Sequence, residues 1–228
     1  NPVGDPFDID YVAHEMGHQF GGNHTFTHGS EGTIAQVEPG SGSTIMGYAG
    51  ITTKDIQAHS DPYFHAISIQ QITDYVKSSS GNCSINIPTG NTAPTANAGA
   101  DVTVPKSTPF ILIGTGTDIN NDNLTFSWEQ MDVQNASTTN PSATKTSGPA
   151  FRSYPATNTP VRYFPKMSSV LNGSTSTAGS EITVEVLPSV SRSMKFRFTV
   201  RDNKANGAGN SYDDMIVTVN SNYGPFTV

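Results

Sequence analysis

His14-Glu15-Met16-Gly17-His18-Gln19-Phe20-Gly21-Gly22-Asn23-His24 has the form H-E-x-x-H-x-x-G-x-x-H. On a helix, residues four apart lie roughly 40° apart around the axis, one turn above each other. His14 and His18 therefore point two imidazoles at one metal. Ile9, Val12, Ala13, Met16 and Phe20 fall within an arc of about 100° on the opposite face, which predicts a helix anchored on that side. Glu15 sits about 100° from His14, close enough to reach a metal-bound water without being a ligand. Gly21 suits the left-handed turn that ends a helix, and the turn brings His24 back as a third ligand. A catalytic zinc takes three protein ligands and leaves its fourth position to water. The bland alternative, three unrelated surface or core histidines, needs the glycine and third histidine to fall in register by chance.

The motif resembles that of the metzincin zinc endopeptidases. Those proteins carry a methionine turn beneath the metal, and Ser43-Thr44-Ile45-Met46-Gly47-Tyr48 has its character and distance. The resemblance implies that Met46 is the floor residue. It makes Tyr48 the tyrosine that binds zinc or steadies the transition state in astacin-like and serralysin-like members. His24-Thr25-Phe26 looks like the pappalysin version of the motif. Tyr63-Phe64-His65-Ala66-Ile67-Ser68 through Cys83 looks more like the adamalysins (reprolysins), where aspartate usually stands at the place of Thr25. The placement that follows is a reprolysin-like enzyme of secreted bacterial type.

That resemblance implies a zinc-dependent endopeptidase acting on protein or peptide substrate, with Glu15 as general base. It also implies a twisted sheet and a further helix ahead of the zinc motif, supplying an edge strand for the substrate. The sequence holds nothing of that kind, so it reads as a trimmed catalytic domain whose missing N-terminal part is an expected partner. In adamalysins the cysteine after the last catalytic helix pairs with one upstream of the zinc helix. Carried over, this puts the partner of Cys83 before Asn1; a buried free thiol is the equal alternative. The competing functional class is a non-catalytic extracellular binding, adhesion or substrate-docking fragment with a retained zinc site.

Composition narrows the setting. A net charge of −7, with 14% charged residues over 228, disfavours nucleic acid and anionic membrane surfaces, which select basic patches. No apolar run of about 18 residues is present to span a bilayer. Abundant Ser, Thr, Asn and Gly with few lysines fits a secreted, extracellular protein. Asp5 or Asp8 is expected to cap the zinc helix. His28, Glu31 and Glu38 are set aside as further ligands because three histidines already fill the zinc quota. Residues 47–61 are expected to wall the pocket for the residue after the scissile bond, with His59 and His65 structural or exposed.

Ser68-Ile69-Gln70-Gln71 reads as a capping box opening a helix whose apolar face is Ile69, Ile72, Tyr75 and Val76, ended by Ser78–Gly81. Residues 87–94 read as a linker. Beyond it the period changes to two: Phe110–Ile113, Leu124-Phe126-Trp128, Ile182-Val184-Val186, Phe196-Phe198-Val200 and Met215-Val217-Val219 predict strands. Trp128 is the expected core residue on a middle strand. The openings of this part look like Ig-, PKD- or cadherin-like modules. Residues 135–180 read as an insertion ordered by Phe151, Tyr154, Tyr163 and Phe164. Asp118, Asn120 and Asp122, with Asp202 or Asp213, read either as a calcium site or as an Asx-rich turn; Asn123 in place of glycine argues against an EF-hand.

The fold class expected is α+β. Residues 1–88 are the C-terminal, lower part of a metzincin catalytic domain, mainly helical with long loops. Residues 89–222 form an antiparallel Ig-like sandwich, and 223–228 begin a further module.

Overall fold

The computed structural model describes residues 4–81, 85, 87–134 and 140–226. Cys83 and its pairing lie outside them. The motif helix is one run in three segments: α1 (Asp5–Phe7), a π-helical stretch Asp8–Ala13, and α2 (His14–Gln19). The Gly4 carbonyl accepts from the amides of Phe7 and Asp8, so the run starts at Asp5. Asp8 is inside the run and does not cap it, contrary to the sequence expectation.

The face expected to anchor this run is not covered among the described residues. Val12, Met16 and Phe20 are 43%, 50% and 43% exposed. The buried positions are His14 and Gly17, on the side that carries the metal-binding pattern. Wider π turns also move Ile9 and Val12 off the angle that a 3.6-residue period gives them.

The expectation that this part is mainly helical is corrected. Between Phe20 and His65 no helix or strand forms; there is one isolated bridge, Phe26 to Glu38. Glycine, serine and threonine are frequent here, and they favour turns over regular elements. Yet residues 35–47 are buried throughout. Their backbone bonds go to distant loops: Thr25 N to Met46 O, Glu38 N to Thr25 O, Tyr48 N to Ser41 O and Ile45 N to Tyr63 O. Buried backbone must be paired, and here loops pair with loops.

α3 (Ala66–Lys77) begins two residues before the expected capping box. His65 is the N-cap, its Nδ1 accepting from Ile67 N at 3.2 Å, while the Ala66 amide donates to Glu129 Oε2 at 3.1 Å. Ser68 Oγ, the expected cap, has no partner. The buried positions are Ala66, Ile67 and Ser68, whereas Tyr75 and Val76 of the expected apolar face are exposed. Ser78 ends the helix as expected, its amide and hydroxyl both bonding Tyr75 O.

The strands are β1 (Thr95–Asn97), β2 (Val102–Pro105), β3 (Phe110–Ile113), β4 (Thr115–Thr117), β5 (Thr125–Gln130), β6 (Val161–Phe164), β7 (Ser176–Ala178), β8 (Thr183–Val186), β9 (Arg192–Arg201) and β10 (Asn210–Asn220). A short helix α4 (Met167–Leu171) follows β6. The main sheet has the order β2-β10-β9-β5, antiparallel except for β2 on β10. The pair β3-β6 supplies Leu112 and Phe164 to the same core as Trp128, Phe196, Phe198 and Val217. Each predicted strand is present. Of the region read as an insertion, residues 135–139 lie outside the described residues; in the rest Phe151 and Phe164 join that core, at 1% and 0% exposure, while Tyr163 lies at the surface, 40% exposed.

The two parts are joined by buried contacts as well as by the linker. Glu129 on β5 is 0% exposed; it holds Ala66 N, takes the Ser153 hydroxyl at 2.6 Å and lies 3.6 Å from His65 Nε2. Tyr63 OH donates to Ser153 Oγ at 2.8 Å, and burial, then Glu129, pushes its phenol well above the usual range. Met131 and Val133 pack on Ala35, Val37 and Ile67. Arg197 on β9 reaches Gln70 on α3 at 2.7 Å. No helix among the described residues is long and apolar enough to cross a membrane.

Candidate metal centre

The metal-binding pattern becomes a site because α2 and two loops converge. α2 sets His14 and His18 on its inner side. Gly21, at φ +85°, closes the helix, and the chain returns through Asn23, whose amide is held by Gln71 Oε1 on α3 at 2.9 Å. His24 then faces the other two histidines. Its Nε2 lies 3.1 Å from His14 Nε2 and 3.0 Å from His18 Nε2.

The opposite ring nitrogens all face oxygen acceptors. His14 Nδ1 lies 2.7 Å from Ile45 O and His18 Nδ1 2.8 Å from Gly22 O. His24 Nδ1 lies 2.8 Å and 3.0 Å from the two Glu31 carboxylate oxygens. Burial lowers the His14 pKa first of all, against the bond to Ile45 and with the help of His24 and His18. A neutral imidazole bonded in this way carries its proton on Nδ1 and leaves Nε2 as a bare lone pair. Three such lone pairs aimed at one point repel unless a cation lies between them. Tetrahedral zinc with Zn–N near 2.05 Å separates its nitrogens by about 3.3 Å, close to the two spacings to His24, and all three ligand atoms lie within 4.8 Å of one another. The residues fit the metal.

Around this centre the remaining expected residues are placed as follows. Glu15 is exposed and borders, with His14, Asp10, Tyr11, Tyr48 and Ile51, a cavity of about 440 Å³. Residues 47–51 and 58–60 line it, within the stretch expected to form its wall. The Tyr48 ring lies 4.5 Å from His24 and 5.5 Å from His14, centroid to centroid. Burial raises its phenol pKa, and Glu31 and Glu15 add to the rise, so it stays protonated. Met46 is fully buried in a tight turn closed by Gly47 N to Thr44 O at 2.8 Å, and it lies under Gly17.

Two carboxylates that sequence reasoning set aside stand next to this core. Glu31 is the partner of His24. Glu38, fully buried, accepts from Thr25 Oγ1 at 2.6 Å, from Thr44 Oγ1, and from Ser43 N at 3.0 Å. It ties the segment after His24 to the Met46 turn. Neither position follows from motif spacing. His59, exposed and 3.1 Å from Asp10, lines the cavity, and His65 is buried beside Glu129; neither belongs to the three-histidine group.

In the sandwich loop the residues of the calcium reading are partly engaged by hydrogen bonds. Asp118 Oδ1 accepts from Asp122 N and Asn120 Oδ1 from Thr92 N, while Lys204 Nζ sits on Asp122 Oδ1 at 2.9 Å. Asp202 is taken up by Asn91, Lys204 N and Gly209 N, and Asp213 by Ala98 N. Asp118 Oδ2 and Asp122 Oδ2 are buried and take no hydrogen bond, so the loop fits an Asx-rich turn and a cation site alike.

No curated protein matches the chain. Residues 1–78, about a third of the chain and the part that holds the three histidines, match the family model of the reprolysin-like metallopeptidases of family M12B, which use zinc.

Proposed function

We propose that the protein is a zinc-dependent endopeptidase that hydrolyses peptide bonds in extracellular proteins. The observation that carries this is the convergence of three Nε2 lone pairs, each fixed by an acceptor on Nδ1, beside an exposed glutamate and a cavity. His14, His18 and His24 hold the metal. When bound, zinc supplies a Lewis acid and lowers the pKa of a coordinated water toward about 7. Glu15 takes a proton from the attacking water. As the oxygen–carbon bond forms and the carbon–nitrogen bond breaks, Glu15 hands that proton to the leaving amine. The Tyr48 phenol, protonated and beside His24, donates to the oxyanion. Met46 supports α2 from below. The side chain after the scissile bond enters the cavity between α2 and residues 47–60. The reading keeps residues 1–88 as the catalytic segment, 89–222 as an Ig-like sandwich and 223–228 as the start of a further module. The extracellular setting rests on composition alone.

The test is cleavage of an unfolded protein substrate by the full chain at equimolar zinc. Glu15→Ala is expected to keep zinc and lose roughly 10²–10⁴ in rate. Loss of zinc together with activity removes Glu15 from its role. Tyr48→Phe is expected to lower kcat with little change in KM, and unchanged turnover removes the phenol from the mechanism. Zinc bound without any cleavage favours the docking-fragment reading.

A further inference from the structure

We infer that Glu31 is the positioning residue of the third histidine: its carboxylate fixes the tautomer and ring orientation of His24 and thereby sets the zinc affinity of the site. The inference rests on the zinc reading above.

The three histidines differ in how they are held. His14 and His18 are on α2, and backbone carbonyls engage their Nδ1 atoms. His24 is on a loop past the end of that helix, so no helix fixes its direction. Its Nδ1 meets a carboxylate instead, through both oxygens at 2.8 and 3.0 Å. An imidazole that donates to a carboxylate is a stronger base at its other nitrogen than one that donates to an amide carbonyl. Glu31 thus places a carboxylate one ring away from the point where the three Nε2 atoms converge.

Glu31 is itself built into place. Its amide donates to Gln36 Oε1 at 3.1 Å, and Gln36, fully buried, turns its amide group onto Phe26 O at 3.1 Å and Gly29 O at 2.6 Å. The loop from His24 to Gln36 is therefore braced from inside at the point that carries the carboxylate. Phe26 stacks on His24 at a centroid distance of 4.9 Å, and Tyr48 meets it edge-on at 4.5 Å, the two rings themselves 4.7 Å apart. This aromatic cluster packs against the ring, and Glu31 restricts its rotation in plane. The side chain of Glu31 is 37% exposed, so its loss does not open the core.

The experiment is zinc titration of the metal-free full chain against a chromogenic chelator, for wild type, Glu31→Gln and His24→Ala, with thermal melting of each metal-free form. Glu31→Gln is expected to bind zinc roughly 10- to 100-fold more weakly than wild type. Its metal-free melting temperature should equal wild type, because the amide is isosteric and half exposed. Zinc affinity within twofold of wild type overturns the inference. A lowered metal-free melting temperature with unchanged zinc affinity also overturns it, since that is the mark of a loop brace only. Equal, negligible zinc binding by wild type and His24→Ala overturns the metal reading itself, and the inference with it.

Discussion

Gly17 lies on Met46 so closely that a Cβ at position 17 would run into the methionine sulfur and come within 3.0 Å of Phe64 Cε1. The third residue between the two helical histidines is therefore glycine for a packing reason. Alanine in a helix interior is ordinarily favoured over glycine by about 1 kcal/mol. Here overpacking of a fully buried methionine costs about 1–3 kcal/mol and wins. Gly17→Ala should lower the melting temperature and weaken zinc binding by shifting α2 off the Met46 turn. A melting temperature above wild type would show that Met46 moves aside freely.

Glu38 predicts a different failure. Its two oxygens collect Thr25 Oγ1, Thr44 Oγ1 and the Ser43 amide, all fully buried. Glu38→Ala strands these donors and should cost about 3 kcal/mol or more, measured by urea unfolding. The Thr25→Val variant loses one bond and should cost about 1 kcal/mol. Equal losses from the two would mean that the carboxylate does not organise the cluster.

Glu129 tests whether the sandwich is part of the catalytic architecture. It reaches across to Ala66 N at the start of α3 and to Ser153, beside His65. Glu129→Ala should cost about 3 kcal/mol and lower zinc affinity along with it, because Ile45 next to Met46 hangs from Tyr63 in the same cluster. Two separate melting transitions in wild type would argue that the parts are independent.

Acid should act through Asp214. Burial pushes its pKa up, but the bonds from Arg197 and Lys195 outweigh this and hold it below the usual carboxylate value of 3.8. A depressed pKa stabilises the fold above the unfolded value and loses that contribution as pH falls through the folded value. Wild type should therefore melt higher than Asp214→Asn at pH 6–7, and the two should converge below pH 3.8. A gap that stays constant well below pH 3.8 would show that charge is not what Asp214 supplies.

Local chemistry is what the sequence determined by itself. The 4- and 10-residue separations of His14, His18 and His24 sufficed to group them, because helix pitch and one glycine turn are short-range geometry. Apolar patterning sufficed for β3, β5, β9 and β10, whose inward-facing residues Leu112, Trp128, Phe196, Phe198, Val200, Met215, Val217 and Val219 share one core. The start of α3 was not legible, because its cap includes a glutamate 63 residues away in sequence. Nor were the placements of Glu31 and Glu38, which lie in a stretch without periodicity and owe their roles to loop-on-loop hydrogen bonds. Long-range partners of this kind leave no spacing rule in the chain. Only the tertiary fold decides which carboxylate meets which histidine, since that depends on where buried polar groups find their partners.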